Sequence, residues 1–140
     1  MLFALASESK ASSAGESPEG QVFLIVDDNA EMRSYIRRCL RTYGGAENRF
    51  LEAADGLEAL AHLARQAVTA VITDVVMPRM DGLTLCREIR TNHPGLPVLL
   101  VTGEVPAEAR RLAQSLDAGA ALAKPFNARR LRAALMRILP

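Results

Sequence analysis

The sequence is poor in residue types that define whole classes of protein. Its 140 residues include two cysteines, two histidines and no tryptophan, and aromatic residues make up 4%. Two cysteines form no disulfide framework, and no Cys/His spacing resembles a zinc site. No apolar run approaches the roughly 18 residues that span a bilayer. We therefore expect a cytoplasmic protein without a membrane segment, in which Cys39 and Cys86 are reduced, half-buried packing residues.

The sequence also has almost no excess of positive or negative charge. The chain has 17 basic and 16 acidic residues, for a net charge of +1, and only Lys10 and Lys124 are lysines. This balance argues against a chain built mainly to coat nucleic acid. With 49% hydrophobic and 24% charged residues, the composition is typical of one soluble globular domain.

The first 20 residues differ in composition from the rest. Residues 1–6 are apolar, but they lack the basic start and the length of a secretory signal. Residues 7–20 are rich in Ser, Glu, Gly and Pro, with little to bury. We predict that residues 1–20 are a disordered tail or linker and that residues 21–140 form the folded domain.

Short apolar runs alternate with helix-like patterns along the folded part. The predicted strands are Val22–Val26, Arg49–Ala53, Ala70–Thr73, Pro97–Val101 and Ala120–Ala123. Helix starts are predicted after or at Asn29, Asp55, Asp81, Pro106 and Asn127. Five β-α units in about 120 residues predict an α/β fold, the flavodoxin-like doubly wound five-stranded parallel sheet of strand order 2-1-3-4-5, with helices on both faces.

Three helices carry specific expectations. The first is predicted to keep Tyr43 on its apolar side and to end at Gly44-Gly45. The second is predicted to turn Leu57, Leu60, Leu63 and Ala64 inward. The fourth is predicted to bury Ala109, Leu112, Ala113 and Leu116.

Polar residues stand where four of the predicted strands end. They are Asp27 and Asp28, Asp74, Thr102, and Lys124. Ligands of doubly wound sheets bind at the carboxyl ends of the central strands, so we expect these side chains to converge. Three neighbouring carboxylates repel unless one is protonated or a cation joins them. Oxygen ligands without His or Cys favour Mg²⁺.

The same residues are compatible with other roles. Each Asp alone is compatible with a helix cap or a turn. No G-x-G-x-x-G and no G-x-x-x-x-G-K-[ST] is present, so a nucleotide cradle is unsupported. A phosphatase of the haloacid-dehalogenase type would need a D-x-D pair after the first strand, which Asp27-Asp28-Asn29 does not provide.

Four segments together resemble a known family. LIVDDNAEMR, ITDVVMPRMDG, LLVTGE and LAKPF, in this order, are similar to the receiver domain of bacterial two-component response regulators, over residues 21–140. The resemblance implies that Asp74 is the phosphoacceptor and that Thr102 and Lys124 contact the phosphoryl group. It implies Mg²⁺ bound by Asp27, Asp28, Asp74 and the backbone carbonyl of Val76. It also implies a cis Lys124-Pro125 peptide bond.

The resemblance also implies partners. A sensor histidine kinase or a phosphotransfer protein would supply the phosphoryl group in a phosphorelay. A downstream protein would dock on the face of the fourth helix, fifth strand and fifth helix, and a homodimer is a further possibility. The four arginines of the last helix, Arg129, Arg130, Arg132 and Arg137, suit either a solvated face or such a surface. We expect no DNA-binding domain within these residues.

The sequence departs from the family's usual pattern at one switch position. The family usually carries Tyr or Phe three residues before its lysine, and this chain has Ala121. Val76 and Glu104 occupy the positions that tune phosphoryl lifetime in such domains.

Three functional hypotheses remain from the sequence. The first is a stand-alone response regulator that is not itself an enzyme and signals through protein contacts. The second is a receiver module cut from a hybrid sensor histidine kinase or a multidomain regulator. The third is a degenerate receiver acting as an interaction domain, or a Mg²⁺-dependent phosphohydrolase.

Overall fold

Five parallel strands form the single sheet of the described chain. The computed structural model describes residues 20–103, 106–116 and 118–140. The strands are β1 (Val22–Val26), β2 (Arg49–Ala53), β3 (Ala70–Asp74), β4 (Val98–Thr102) and β5 (Ala120–Ala123). Their spatial order is β2-β1-β3-β4-β5, and every neighbouring pair is parallel. The predicted fold and strand order are confirmed.

Five helices connect and follow the strands. They are α1 (Ala30–Leu40), α2 (Gly56–Arg65), α3 (Gly82–Asn92), α4 (Pro106–Leu116) and α5 (Ala128–Ile138). The predicted caps are present, since Asn29, Asp55, Asp81 and Asn127 each accept hydrogen bonds from backbone N–H groups of the first helical turn. None of the described helices is long and apolar enough to cross a membrane.

Alternate residues of each central strand enter two separate cores. Phe23 and Ile25 point to one side of the sheet, where they join Leu40 of α1 and Leu131 of α5. Leu24 and Val26 belong to the core on the other side, which includes residues of α2 and α3. The continuous apolar run of β1 is explained by this burial on both faces. Because the central strands are buried on both faces, the edge of the sheet formed by their carboxyl ends is held in a fixed position.

Helix α1 ends earlier than its sequence predicts. It stops at Leu40, and a separate 3-10 turn covers Tyr43–Gly45. The cause is Asn48, a buried residue whose side-chain amide donates to the Leu40 and Tyr43 carbonyl oxygens at 2.7 and 2.8 Å. The Gly44-Gly45 pair, on which the predicted helix end was based, does not reveal this contact, because Asn48 reaches the helix end from the following loop.

Two expectations of side-chain burial are wrong. Leu57 is 47% exposed and Ala64 is exposed, whereas Ala59 of the same helix is fully buried. Leu57 stands in the first turn of α2, next to the Asp55 cap. Cys39 and Cys86 are buried rather than half-buried, and both are free thiols.

Some predictions concern parts of the chain that the structure leaves undescribed. Residues 1–19 and Glu104 lie outside the described residues, as do the side chains of Ala109, Leu112 and Leu116. Ala113 of α4 is buried, as predicted.

Candidate functional site

Three carboxylates meet at the carboxyl edge of the sheet. Asp27 and Asp28 follow β1, and Asp74 is the last residue of the adjacent β3. Each offers a carboxylate oxygen within 4.8 Å of the other two. The predicted convergence of the acids is confirmed, and it follows from parallel strands that end side by side.

Of the described part of the chain, one ammonium group faces this cluster. Lys124 follows β5, and its side chain extends past β4 to reach the acids. Its Nζ lies 3.1 Å from Asp74 Oδ2 and 3.6 Å from Asp27 Oδ2. The Lys124 N–H donates to the Thr102 carbonyl at 2.8 Å, which continues the β4-β5 ladder to the edge. The Lys124-Pro125 peptide bond is cis, as expected.

Thr102 and Val76 complete the set of predicted site residues. Thr102 ends β4, next to β3, and is buried. Val76 lies in the loop between β3 and α3, with its side chain turned to solvent. Asp28 is exposed at the open side of the cluster, whereas Asp27 lies beneath it. The strand ends therefore place all the predicted residues along one edge.

Asp27 has the most perturbed electrostatic environment at the site. Burial raises the pKa of its carboxyl, and the neighbouring Asp74 and Asp28 carboxylates raise it further. The Asn29 N–H, which donates to Asp27 Oδ1 at 2.8 Å, and the Lys124 ammonium act in the opposite direction. The net shift shows that the folded chain disfavours the full set of negative charges.

The donor set fits a hard divalent cation. All the acidic donors are carboxylate oxygens, and the described residues bring no His or Cys into the cluster. The pKa of Asp27 is raised by burial and by the neighbouring Asp74 and Asp28 carboxylates, and a cation there would offset both effects. Spacing and donor chemistry thus agree with the Mg²⁺ predicted for this edge.

Close backbone packing shapes the edge behind Asp74. A Cβ at Gly82 would lie 2.0 Å from the Asp74 carbonyl oxygen, so no side chain fits there. The Gly82 N–H also donates to the Val75 carbonyl at 2.8 Å. Glycine at the start of α3 lets the helix approach the strand end that carries Asp74.

Sequence reasoning missed an arginine that braces the turn after β1. Arg33 of α1 donates to the Asp27 carbonyl at 2.7 Å and to Glu52 Oε1 at 2.8 Å. The contact to Glu52 crosses from α1 to β2, and no local pattern encodes it. Arg33 therefore joins the backbone of Asp27 to the neighbouring strand.

Fold and site together define a doubly wound α/β protein with an acidic cluster and one lysine at its ligand-binding edge. A family model of the response regulator receiver domain matches residues 23–136. The chain belongs to this family, and it is a receiver domain of two-component signalling.

Curated relatives agree with this assignment. Response regulator MprA of Mycobacterium sp. (strain KMS) is 40% identical over 123 residues, which cover 84% of this chain and 51% of the relative. Response regulator MprA of Mycobacterium leprae (strain TN) is also 40% identical over 123 residues, covering 84% and 52%. The chain spans about half the length of these relatives.

Solved structures show the same fold. The chemotaxis response regulator CheY4 of Vibrio cholerae is 31% identical, with a TM-score of 0.76, over 86% of this chain and 99% of that one. A BeF3-activated DrrB receiver domain is 25% identical, with a TM-score of 0.73, over 85% and 97%. The whole sheet and its helices are shared with these proteins.

Proposed function

We propose that this receiver domain accepts a phosphoryl group on Asp74, in a Mg²⁺-dependent reaction, from a phospho-histidine of a sensor kinase or a phosphotransfer protein. The observation that carries the proposal is the meeting of Asp27, Asp28, Asp74 and Lys124 within a few ångströms. An interaction domain that had lost phosphorylation would not need three acids and one ammonium at this edge.

Asp74 has the geometry of a nucleophile. Its Oδ1 accepts from the Val75 N–H at 2.8 Å, and its Oδ2 faces Lys124. In the reaction a carboxylate oxygen of Asp74 forms the new bond to phosphorus, the bond from phosphorus to the donor nitrogen breaks, and that nitrogen retains the electron pair. The product is an acyl phosphate on Asp74, with regenerated imidazole.

The remaining site residues would hold and orient the phosphoryl group. Asp27, Asp28, Asp74 and the Val76 carbonyl would bind Mg²⁺, which supplies positive charge beside the phosphoryl oxygens when bound. Lys124 would pair with another phosphoryl oxygen, and its compact ammonium suits a role as a point charge. The Thr102 hydroxyl would donate to the acyl phosphate once it forms.

Phosphorylation of the intact protein tests this proposal. Acetyl phosphate and Mg²⁺ should add one phosphoryl mass to the wild type and none to Asp74→Asn. Glu88→Gln, which removes an exposed acid from α3, should be modified like the wild type. EDTA should prevent the modification. An unmodified wild type, under conditions that modify another receiver domain, would refute the proposal.

We further propose that the output partner docks on the face formed by α4, β5 and α5. Ala121 of β5 lines a cavity of about 210 Å³ there, together with Arg110, Arg130 and Arg137. None of these three guanidinium groups forms a salt bridge with another described residue. The surface suits an acidic segment that inserts one apolar side chain where the family usually has an aromatic residue. A second copy of this chain, forming a homodimer, is the other occupant we consider.

Ala121→Tyr tests this docking surface. The larger side chain should fill the cavity, so the affinity for the output partner should change more than the rate of Asp74 phosphorylation. A changed rate with unchanged affinity would argue against the surface. Sedimentation of the phosphorylated wild type distinguishes a homodimer from a separate partner.

We also propose a cytoplasmic location, because Cys39 and Cys86 are both free thiols, which suits a reducing compartment.

A further inference from the structure

The loop between β3 and α3, residues 75–81, is anchored to the start of α2 by an ion pair. We propose that this pair, Asp55 with Arg79, is a positioning device that holds the Val76 carbonyl in place for Mg²⁺. The inference rests on the proposed function, because it concerns the same metal site. Neither residue belongs to the acidic cluster itself.

The buried Asp55 carboxylate binds both the start of α2 and the loop that follows β3. Asp55 is 2% exposed, and its Oδ1 accepts from the Glu58 N–H at 2.9 Å, which caps α2. Its Oδ2 accepts from Arg79 Nε at 2.6 Å and also contacts Arg79 Nη2. These hydrogen bonds hold the pKa of Asp55 below its usual value. The Asp55 side chain is 4% exposed and that of Arg79 is 57% exposed, so solvent screens the pair on the arginine side only.

The backbone of the loop is held at both ends. At one end the Gly82 N–H donates to the Val75 carbonyl at 2.8 Å, and at the other the Gly56 N–H donates to the Met80 carbonyl at 3.0 Å. Arg79 adopts a left-handed backbone with φ of 64°, which is uncommon for a residue with a long side chain. The ion pair with Asp55 favours this conformation over the alternatives open to a free loop.

The Val76 side chain gives the loop little packing support. It is 78% exposed, so its packing contributes little to the position of the Val76 carbonyl. Order must come instead from the buried Met77 side chain next to it and from the anchors at Val75, Arg79 and Met80. A metal ligand that is not held in place has to be ordered at the moment of binding, and that cost lowers the affinity for the metal.

Two conservative variants remove the pairing and leave the local structure intact. Asp55→Asn keeps an oxygen that can cap α2 but removes the charge that binds Arg79. Arg79→Asn removes the guanidinium and places at φ of 64° a residue that tolerates the left-handed conformation. Arg65→Asn, at the far end of α2, removes the same charge without touching the loop and serves as the control.

The direction in which each variant changes the affinity for Mg²⁺ distinguishes a positioning role from a purely electrostatic one. Loss of a negative charge at Asp55 should weaken Mg²⁺ binding through space, whereas loss of a positive charge at Arg79 should strengthen it. A positioning role predicts that both variants weaken binding, by about tenfold, the low end for groups that orient a metal ligand. The double variant should bind Mg²⁺ about as weakly as either single variant, because both remove the same contact.

Calorimetric titration of the full chain with MgCl₂ measures these affinities, and amide hydrogen exchange of the metal-free protein measures the order of the loop. We expect faster exchange at residues 76–80 in both variants and unchanged exchange in Arg65→Asn. Saturating Mg²⁺ should restore phosphorylation of Asp74 in both.

Two outcomes would overturn the positioning role. One is tighter Mg²⁺ binding by Arg79→Asn, and the other is unchanged exchange of the loop in both variants. A wild type that binds no Mg²⁺ would instead overturn the proposed function, and the exchange data would still decide whether the ion pair orders the loop.

Discussion

Neutralising Asp27 should stabilise the metal-free protein while abolishing its affinity for Mg²⁺. The Asp27 side chain is 3% exposed and shares the edge of the sheet with two other carboxylates. Asp27→Asn keeps a side-chain oxygen that can accept from the Asn29 N–H, so the turn after β1 retains its hydrogen bond. The variant therefore removes one charge and little else.

The magnitude follows from three opposing contributions. With an effective dielectric constant of about 20, two like charges within 4.8 Å of each other repel by at least about 3.5 kcal/mol, and an ammonium 3.6 Å from a carboxylate attracts it by about 4.6 kcal/mol. These two nearly cancel, and Asp28 is exposed and screened. Burial of the carboxylate then decides the sign, as the raised pKa of Asp27 indicates. We expect a gain of about 1 kcal/mol, or about 3 to 5 °C in Tm for a domain of this size.

The stabilisation should depend on pH in one direction. Because the pKa of Asp27 is raised above its usual 3.8, the folded state binds this proton more tightly than the unfolded state. The stability contributed by the protonated form is present below pH 3.8 and is lost as the pH rises through the folded-state pKa. The advantage of Asp27→Asn should therefore grow as the pH rises toward neutrality.

Thermal unfolding in EDTA, compared across pH for the wild type, Asp27→Asn and Asp28→Asn, measures these effects. The exposed Asp28 is the matched control, and its variant should show a smaller gain. Added MgCl₂ should raise the Tm of the wild type and leave that of Asp27→Asn unchanged. A variant that is less stable than the wild type in EDTA at neutral pH would refute the reasoning.

Three further predictions concern the same edge of the sheet. Lys124→Ala should lower the free energy of unfolding of the metal-free protein by about 1 to 3 kcal/mol, because Asp27 and Asp74 lose the ammonium group that pairs with both of them. The same variant should tighten Mg²⁺ binding in a calorimetric titration. Gly82→Ala should cost more than about 2 kcal/mol in chemical denaturation, since the new Cβ meets the Asp74 carbonyl; a stable variant would contradict the close packing. The pKa of Asp81 lies below its usual 3.8 because the Thr84 N–H donates to its carboxylate. The stability contributed by ionised Asp81 is therefore present above pH 3.8 and is lost at lower pH. Asp81→Asn should consequently show a shallower loss of Tm in acid than the wild type.

The fold could be predicted because its signals are local and repeated. Four apolar runs and the alternating segment Arg49–Ala53 indicated the strands. Asn29, Asp55, Asp81 and Asn127 indicated the helix starts, since capping needs only a side chain and the N–H groups two or three residues onward. The order of the strands followed from the alternation of strand and helix and from the resemblance. The end of α1 was mispredicted because Asn48, eight residues after Leu40, sets it.

Most residues of the candidate site could also be predicted from the sequence. Polar residues after buried strands indicated the edge, and parallel pairing brought Asp27, Asp28, Asp74 and Lys124 together. The roles of Thr102 and the Val76 carbonyl stay predictions.

By itself, the sequence determined which residues end the strands and which begin the helices, because both depend on chemistry within a few positions of the chain. Only the tertiary structure decided that Arg79 pairs with Asp55 and that Arg33 supports the Asp27 backbone. It also decided that Asp27 is buried while Asp28 is exposed, and burial raises the pKa of Asp27. Arg79 and Asp55 are 24 positions apart, and Arg33 is oriented by Glu52, 19 positions further on, so neither contact follows from the local sequence. Burial likewise depends on how the helices pack on the sheet.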